Sequence, residues 1–219
     1  MTSHSARPSS VLLDALGADA ARLDARLVPY LAGSAEGDVV CTGVFDVAGG
    51  RFRRLGLLAR PVAGPELVIA RFGRDVPFRV VNREVVTPRG HRELRAERVF
   101  TFGSSSERFA DALRLGRVPG TLINVLGRAR RLALVLCCTV TDEGFLRIHS
   151  EGLWMRFGGR RIRLPRFLGV EALLINGVDA ATGRLTVDAR VRHPILGVVT
   201  EYRGAFDYRV EARSAETPP

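Results

Sequence analysis

The sequence predicts an α+β, mostly β fold: a curved antiparallel meander or incomplete β-barrel with one or two N-terminal helices. Apolar residues near the N-terminus fall at helical spacing, with Leu12, Leu13, Leu16, Ala20, Leu23 and Leu27 on one stripe. From Pro65 onward the period becomes two, with turn residues at regular intervals. No apolar run approaches the roughly 20 residues of a membrane-crossing helix. The longest, Leu132 to Cys138, follows Arg128, Arg130 and Arg131 and reads as a buried strand. With 219 residues, 46% of them hydrophobic, the chain can bury one large core. A single domain over 9–212 is expected, with disordered tails at 1–8 and 213–219.

Ser9 and Ser10 are candidate caps for a helix running to about Val28, broken by Pro29 and "AGSAEGD". A strand from Asp38 to about Val47 ends at "AGG", and Phe52 to Arg60 reads as a second short helix closed by Pro61. Val76, Phe78 and Val80 alternate with polar positions, "TPRGH" turns the chain, and Leu94 to Phe102 runs back. "ERFADALRL" fits helix or strand by pattern, with strand or irregular structure favoured. Arg131–Thr141 and Phe145–Phe157 flank "DEG" as a hairpin, and "FGGR" precedes Ile162 and Leu164. Ala172 to Asn176 leads into Leu185, Val187, Ala189 and Val191, which alternate with Thr186, Asp188, Arg190 and Arg192. That strand has one dry face and one charged face. "HPILG" interrupts the pattern before a closing strand over 199–210.

The formal charge is +10, and all 33 basic residues are arginine. Two segments concentrate them, "RFRRLGLLAR" at 51–60 and "MRFGGRRIRLPRF" at 155–167. Arginine grips carboxylates and phosphates through paired hydrogen bonds. Solvated faces with acidic neighbours are the first reading, and an anionic small molecule or an anionic membrane surface the second. Nucleic acid is disfavoured: no helix-turn-helix, zinc-finger or RNP-like spacing occurs, and aromatics are sparse. The absence of lysine excludes a P-loop, a Schiff base and a pyridoxal site. "MTSHSARPSS" lacks the plan of a secretory signal, and Cys41, Cys137 and Cys138 make no disulfide framework, so a cytoplasmic location is expected. Neither cofactor nor metal is expected, since the four histidines are dispersed and no HxH or HExxH spacing occurs.

His149 and Glu151 alternate onto one face of "FLRIHSEGLWMRF", about 7 Å apart along a strand. A histidine beside a carboxylate offers acid/base chemistry near neutrality. Trp154 opens the second basic segment. In "RHPILGVVTEYRGAF", Pro194 calls for a bend or an edge, and Gly204 for a bulge or a close approach by another backbone. That corner would frame a pocket mouth with His193, Tyr202 and Arg203 facing it.

"VPFRVVNREV", "ERVFTF" and "HPILGVVTEYRGAF" together resemble a bacterial family catalogued as domain of unknown function 4166. The resemblance spans about residues 38–210. Members look like standalone proteins or C-terminal partners of saccharopine-dehydrogenase-like reductases. His193, Pro194, Leu196, Gly197, Tyr202, Arg203 and Gly204 match the family's closing pattern. Where the family usually carries a tryptophan shortly before an Arg-x-Phe pair, this chain has Glu97 before Arg98 and Phe100. The resemblance implies a fold and a genomic style but no activity.

The resulting expectation is a β-rich module holding an apolar or amphipathic, possibly anionic, small molecule in a concave sheet. Arg98, Trp154, His193 and Arg203 are its candidate binding residues. A cofactor-free cyclase, isomerase or hydrolase acting on a polyketide- or lipid-like intermediate is the alternative, with His149, Glu151 and Tyr202 as catalytic candidates. A scaffold or membrane-surface protein using 155–167 is the third.

Overall fold

The computed structural model describes residues 10–51, 66, 67, 69–157 and 160–213. Both expected tails, apart from Arg213, and the expected helix over 52–60 lie outside these residues. The N-terminal helix is shorter than its apolar stripe suggests. Ser10 caps α1 (Val11–Leu16), accepting from the Leu13 amide, and Gly17, at φ 57°, ends it. A 3-10 segment, Gly17–Arg22, follows, and then α2 (Val28–Ala32). Pro29 stands in the first turn of α2, where a missing N–H costs nothing, so it starts a helix instead of breaking one.

The strands are β1 (Gly37–Gly50), β2 (Phe72–Val86), β3 (Arg92–Phe102), β4 (Ser105–Leu115), β5 (Thr121–Leu126) and β6 (Leu132–Val140). They continue as β7 (Leu146–Phe157), β8 (Arg160–Arg163), β9 (Glu171–Val178), β10 (Leu185–His193) and β11 (Gly197–Ala212). "ERFADALRL" belongs to β4. All pairings are antiparallel, and the sheet closes through β11 on β1 and β6 on β7. The result is a ten-stranded antiparallel barrel. β8 stands outside it as a short hairpin arm on β7.

The wall has one irregular seam. The first part of β7, residues 146–149, pairs with β9, whereas residues 154–157 pair with β8. Between them β7 carries a bulge opposite Val135 and Leu136. Ser150 Oγ stitches the gap by accepting from the Ala172 amide at 2.8 Å.

Alternation sends one row of each strand inward, including Val76, Phe78 and Val80, then Leu94, Ala96 and Phe100, then Leu185, Val187 and Ala189. The helices plug the end where β2 finishes and β3 begins. Val11, Leu16, Leu27 and Leu31 are buried there. Glu84 accepts from the Val11 amide at 2.9 Å and from Arg92, which also donates to Asp14 at 2.7 Å. Ser10 Oγ also donates to the Leu31 carbonyl at 2.6 Å, knitting α1 to α2. No helix among the described residues is long and apolar enough to cross a membrane.

Residues 192–206 divide between turn and wall. His193 Nδ1 accepts from the amides of Ile195 and Leu196, at 3.2 and 3.4 Å, and folds "HPILG" into the β10–β11 turn. Gly204 lies opposite the irregular stretch of β1 between Gly43 and Val47. A Cβ there would sit 3.0 Å from both Phe45 Cα and Val44 O. Two backbones approach as closely as glycine allows, and the approach turns Phe45 into the core.

Candidate functional site

Phe45 organises the middle of the barrel. It stacks on Phe78 with ring centroids 3.6 Å apart and planes 2° from parallel, and it meets Tyr202 at 5.3 Å. Phe100 lies 5.9 Å from Phe45 and 5.8 Å from Tyr202. Beside this aromatic group is a cavity of about 100 Å³, bounded by barrel residues and by Leu12, Tyr30 and Leu31 of the plug. Leu94, Ile148, Leu174 and Val187 give it apolar walls. Arg98, Tyr202, Cys41, Asn82 and Asn176 give it polar groups.

The electrostatic centre is Arg98. Its Nη1 donates to Asp111 Oδ1, and Asn124 Nδ2 donates to Asp111 Oδ2 at 2.9 Å. The two side chains are 14% and 4% exposed, so this is an ion pair inside an apolar barrel. The guanidinium also lies 5.4 Å from the centre of the Phe109 ring. Burial disfavours the charged guanidinium, but Asp111 and then Tyr202 more than offset it, leaving Arg98 more basic than usual. A fixed positive charge therefore lines the cavity.

The interior acids point the other way. Burial raises the pKa of Tyr202, against the pull of Arg98, and raises that of Tyr30 strongly. Burial also pushes the Cys41 thiol up to about 12. At neutral pH all three remain protonated donors. The interior suits holding a polar group more than removing a proton.

Of the residues expected at a site, the structure brings Arg98 and Tyr202 to this cavity. The expectation that His149 and Glu151 share it is corrected. Ile148 and Leu153 are buried in the core, so alternation around the β7 bulge turns His149 and Glu151 outward. Trp154, next to Leu153, is half-buried on the outer face by the same logic. His193 is occupied by its turn amides and is not a cavity-lining residue. Arg203 is exposed on the outside of β11, because its neighbour Tyr202 points in. Of the basic segment at 51–60, only Arg51 is described, and it pairs with Glu201 at 2.8 Å.

Asp111, Asn124, Tyr30, Asn82 and Cys41 escaped the sequence reading. Asp111 left a trace there: it sits between Phe109 and Leu113 in the inward row of β4, a carboxylate amid apolar residues. Reading it required settling "ERFADALRL" as a strand. Nothing in the sequence pairs Asp111 with Arg98, because that contact depends on the β3–β4 register, in which Arg98 faces Phe109.

A family model described as Domain of unknown function (DUF4166) matches residues 30–206. The chain belongs to this family. The DUF4166 match runs from within α2 to within β11, and so takes in ten of the eleven strands whole. The chain is also similar to the uncharacterized protein YndH of Bacillus subtilis (strain 168), 29% identical over 135 residues. That alignment covers 61% of this chain and 65% of the length of YndH. The buried Arg98–Asp111 pair falls inside the part of the chain that defines the DUF4166 family.

Proposed function

We propose that the barrel is a small-molecule-binding module whose ligand places a polar, hydrogen-bonding group against Arg98 and Tyr202 and an apolar part along Phe45, Phe78, Leu94 and Ile148. The observation that carries this reading is the ion-paired arginine lining a cavity at the centre of an apolar barrel. A buried ion pair is a poor way to gain stability, because desolvating two charges costs about what their attraction returns. A guanidinium has five donors, and Asp111 takes one of them at Nη1. The volume sets the size class. At about 100 Å³ the cavity is smaller than the roughly 150 Å³ in which a buried apolar void takes up benzene. A small polar group or anion suits it, and a ring or an extended acyl chain requires the plug residues Leu12, Tyr30 and Leu31 to move.

The test is a thermal-shift screen of small carboxylates, phenols and amphiphiles, together with native mass spectrometry of protein from its own host. The expected result is a stabilising ligand whose effect falls at least fivefold in Tyr202→Phe. A flat screen with a clean apo mass would overturn the proposal.

A second reading is supported by the end of the barrel opposite the plug. Ile162, Phe167 and Leu168 are about half exposed there, and Ile195 is three-quarters exposed. Glu171 pairs with Arg192, so the segment leading into β9 and the β10–β11 turn are neighbours. Arg160, Arg161, Arg163 and Arg166 are exposed and alternate in sequence with the first group. Exposed apolar side chains interspersed with arginines suit an anionic lipid surface, where each cation contributes about 1 kcal/mol. Binding to phosphatidylserine vesicles that falls with salt and in Phe167→Ser/Ile195→Ser supports this reading. Binding indifferent to lipid charge counts against it.

A further inference from the structure

The outer wall of the barrel carries a second group of side chains, separate from the interior. Cys137 on β6 lies directly opposite His149 on β7. Glu151 comes from the β7 bulge, where the extra residue lets it share the outer face with His149 despite the change of register. One donor atom from each residue lies within 4.8 Å of the other two.

We propose that Cys137, His149 and Glu151 form a divalent-metal site on the outer face of the barrel, and that zinc is the ion it suits. This inference does not depend on what the interior binds.

The donor set carries the chemistry. A thiolate, an imidazole and a carboxylate are the three ligand types zinc accepts, and a soft thiolate with an imidazole disfavours magnesium and calcium. At normal bond lengths tetrahedral donors lie about 3.5 Å apart. The group must therefore close by about 1 Å, within reach of the exposed Glu151 side chain swinging on its bulge.

A second observation points the same way. His149 Nδ1 is buried and has no hydrogen-bond partner among the described residues. A buried ring nitrogen without a partner costs stability, which a ligand relieves. As ligands, a Cys137 thiolate and the Glu151 carboxylate bring two negative charges to one place. A doubly charged cation cancels both charges. The resulting neutral centre is compatible with the Arg163 guanidinium, which lies against Gly152 of the same bulge. Three protein ligands leave the fourth position to water on an accessible face.

The experiment is a titration of untagged, metal-free, full-length protein with Co²⁺ as a spectroscopic stand-in for zinc, followed by displacement with Zn²⁺. The expected result is one equivalent bound per chain, with a near-ultraviolet thiolate-to-cobalt charge-transfer band that zinc abolishes. The band should vanish in Cys137→Ser and persist in Cys138→Ala, since Cys138 is buried in the core. Affinity should fall at least tenfold in His149→Ala and in Glu151→Gln. All three sites lie on the outer face, and unchanged circular dichroism establishes that each variant is folded. A missing band in the wild type overturns the proposal, as does binding that survives in Cys137→Ser.

Discussion

Replacing Arg98 by methionine keeps most of the side-chain stem and deletes the charge, leaving the Asp111 carboxylate with the hydrogen bond from Asn124 in a position 4% exposed. Removing one partner of a buried ion pair typically costs 3–5 kcal/mol, because the survivor keeps its desolvation penalty and loses its compensation. For a domain of this size each kcal/mol lowers Tm by about 2–4 °C, so Arg98→Met should melt roughly 6–20 °C below the wild type. The double variant Arg98→Met/Asp111→Leu removes both charges and should recover to within about 2 kcal/mol of the wild type. With Asp111→Leu, which leaves the guanidinium unpaired, costing at least about 1 kcal/mol, the cycle gives a coupling of at least about 2 kcal/mol. The assay is equilibrium urea unfolding followed by the fluorescence of Trp154, the single tryptophan, and checked by circular dichroism. A cost below about 1 kcal/mol for Arg98→Met, or a double variant no better than the single, would refute the reasoning. Either result would mean that water reaches Asp111.

Stability should fall on the alkaline side. Burial raises the Cys41 and Cys138 thiols from 9.0 to about 12 each, so the folded chain holds protons that the unfolded chain gives up. The contribution is complete below pH 9 and is lost as pH rises above it, by about 1.4 kcal/mol per thiol between pH 8 and 10. Urea midpoints at pH 8 and 10 check the sum of about 3 kcal/mol, and Cys41→Ala/Cys138→Ala should flatten the slope. Ser10→Ala removes the α1 cap and leaves the Leu31 carbonyl without its donor, a loss of about 2 kcal/mol measurable by the same unfolding assay. Gly204→Ala drives a methyl group against the backbone of Val44 and Phe45, atoms that no side-chain rotation can move aside. A cost of about 1–3 kcal/mol is expected, together with altered near-ultraviolet dichroism from the displaced Phe45 stack.

The barrel was legible because its strands obey a two-residue period over long stretches. Val76–Phe78–Val80 and Leu185–Val187–Ala189 show inward rows without help from tertiary context. Closure was not legible, since β1 and β11 recognise each other by register across the whole chain. The N-terminal stripe suggested a helix to Val28, but Gly17 outranked it: one left-handed residue reorients everything that follows. Of the candidate residues, Tyr202 and Arg203 were expected to face one mouth, whereas alternation along β11 puts Tyr202 inside and Arg203 outside; for Gly204 a bulge or a close approach was expected, and it meets the backbone of Val44 and Phe45 closely. His149 and Glu151 were correctly put on one face, yet which face is inside depends on Ile148 and Leu153, and the bulge between them has no composition signal. Asp111 was missed because a lone carboxylate in an apolar row reads as noise until its partner is known.

The pairing of β1 with β11 joins residues 37–50 to residues 200–212, so the contact that closes the wall is also nearly the longest in sequence. Loop entropy makes such a contact late to form. During synthesis, strands β1 to β10 must wait as an open sheet with two unsatisfied edges until the final strand arrives. A chain stopped before Gly197 would keep those edges permanently, and edge-to-edge association is its natural fate. The same adjacency offers an engineering route. Arg213 donates to the Glu84 carbonyl and the Val11 amide to the Glu84 carboxylate, so a short linker from Arg213 to Ser10, with new ends cut at an exposed turn such as the one around Gly183, would bring β11 close to β1 in sequence, keep the helical plug and should speed folding.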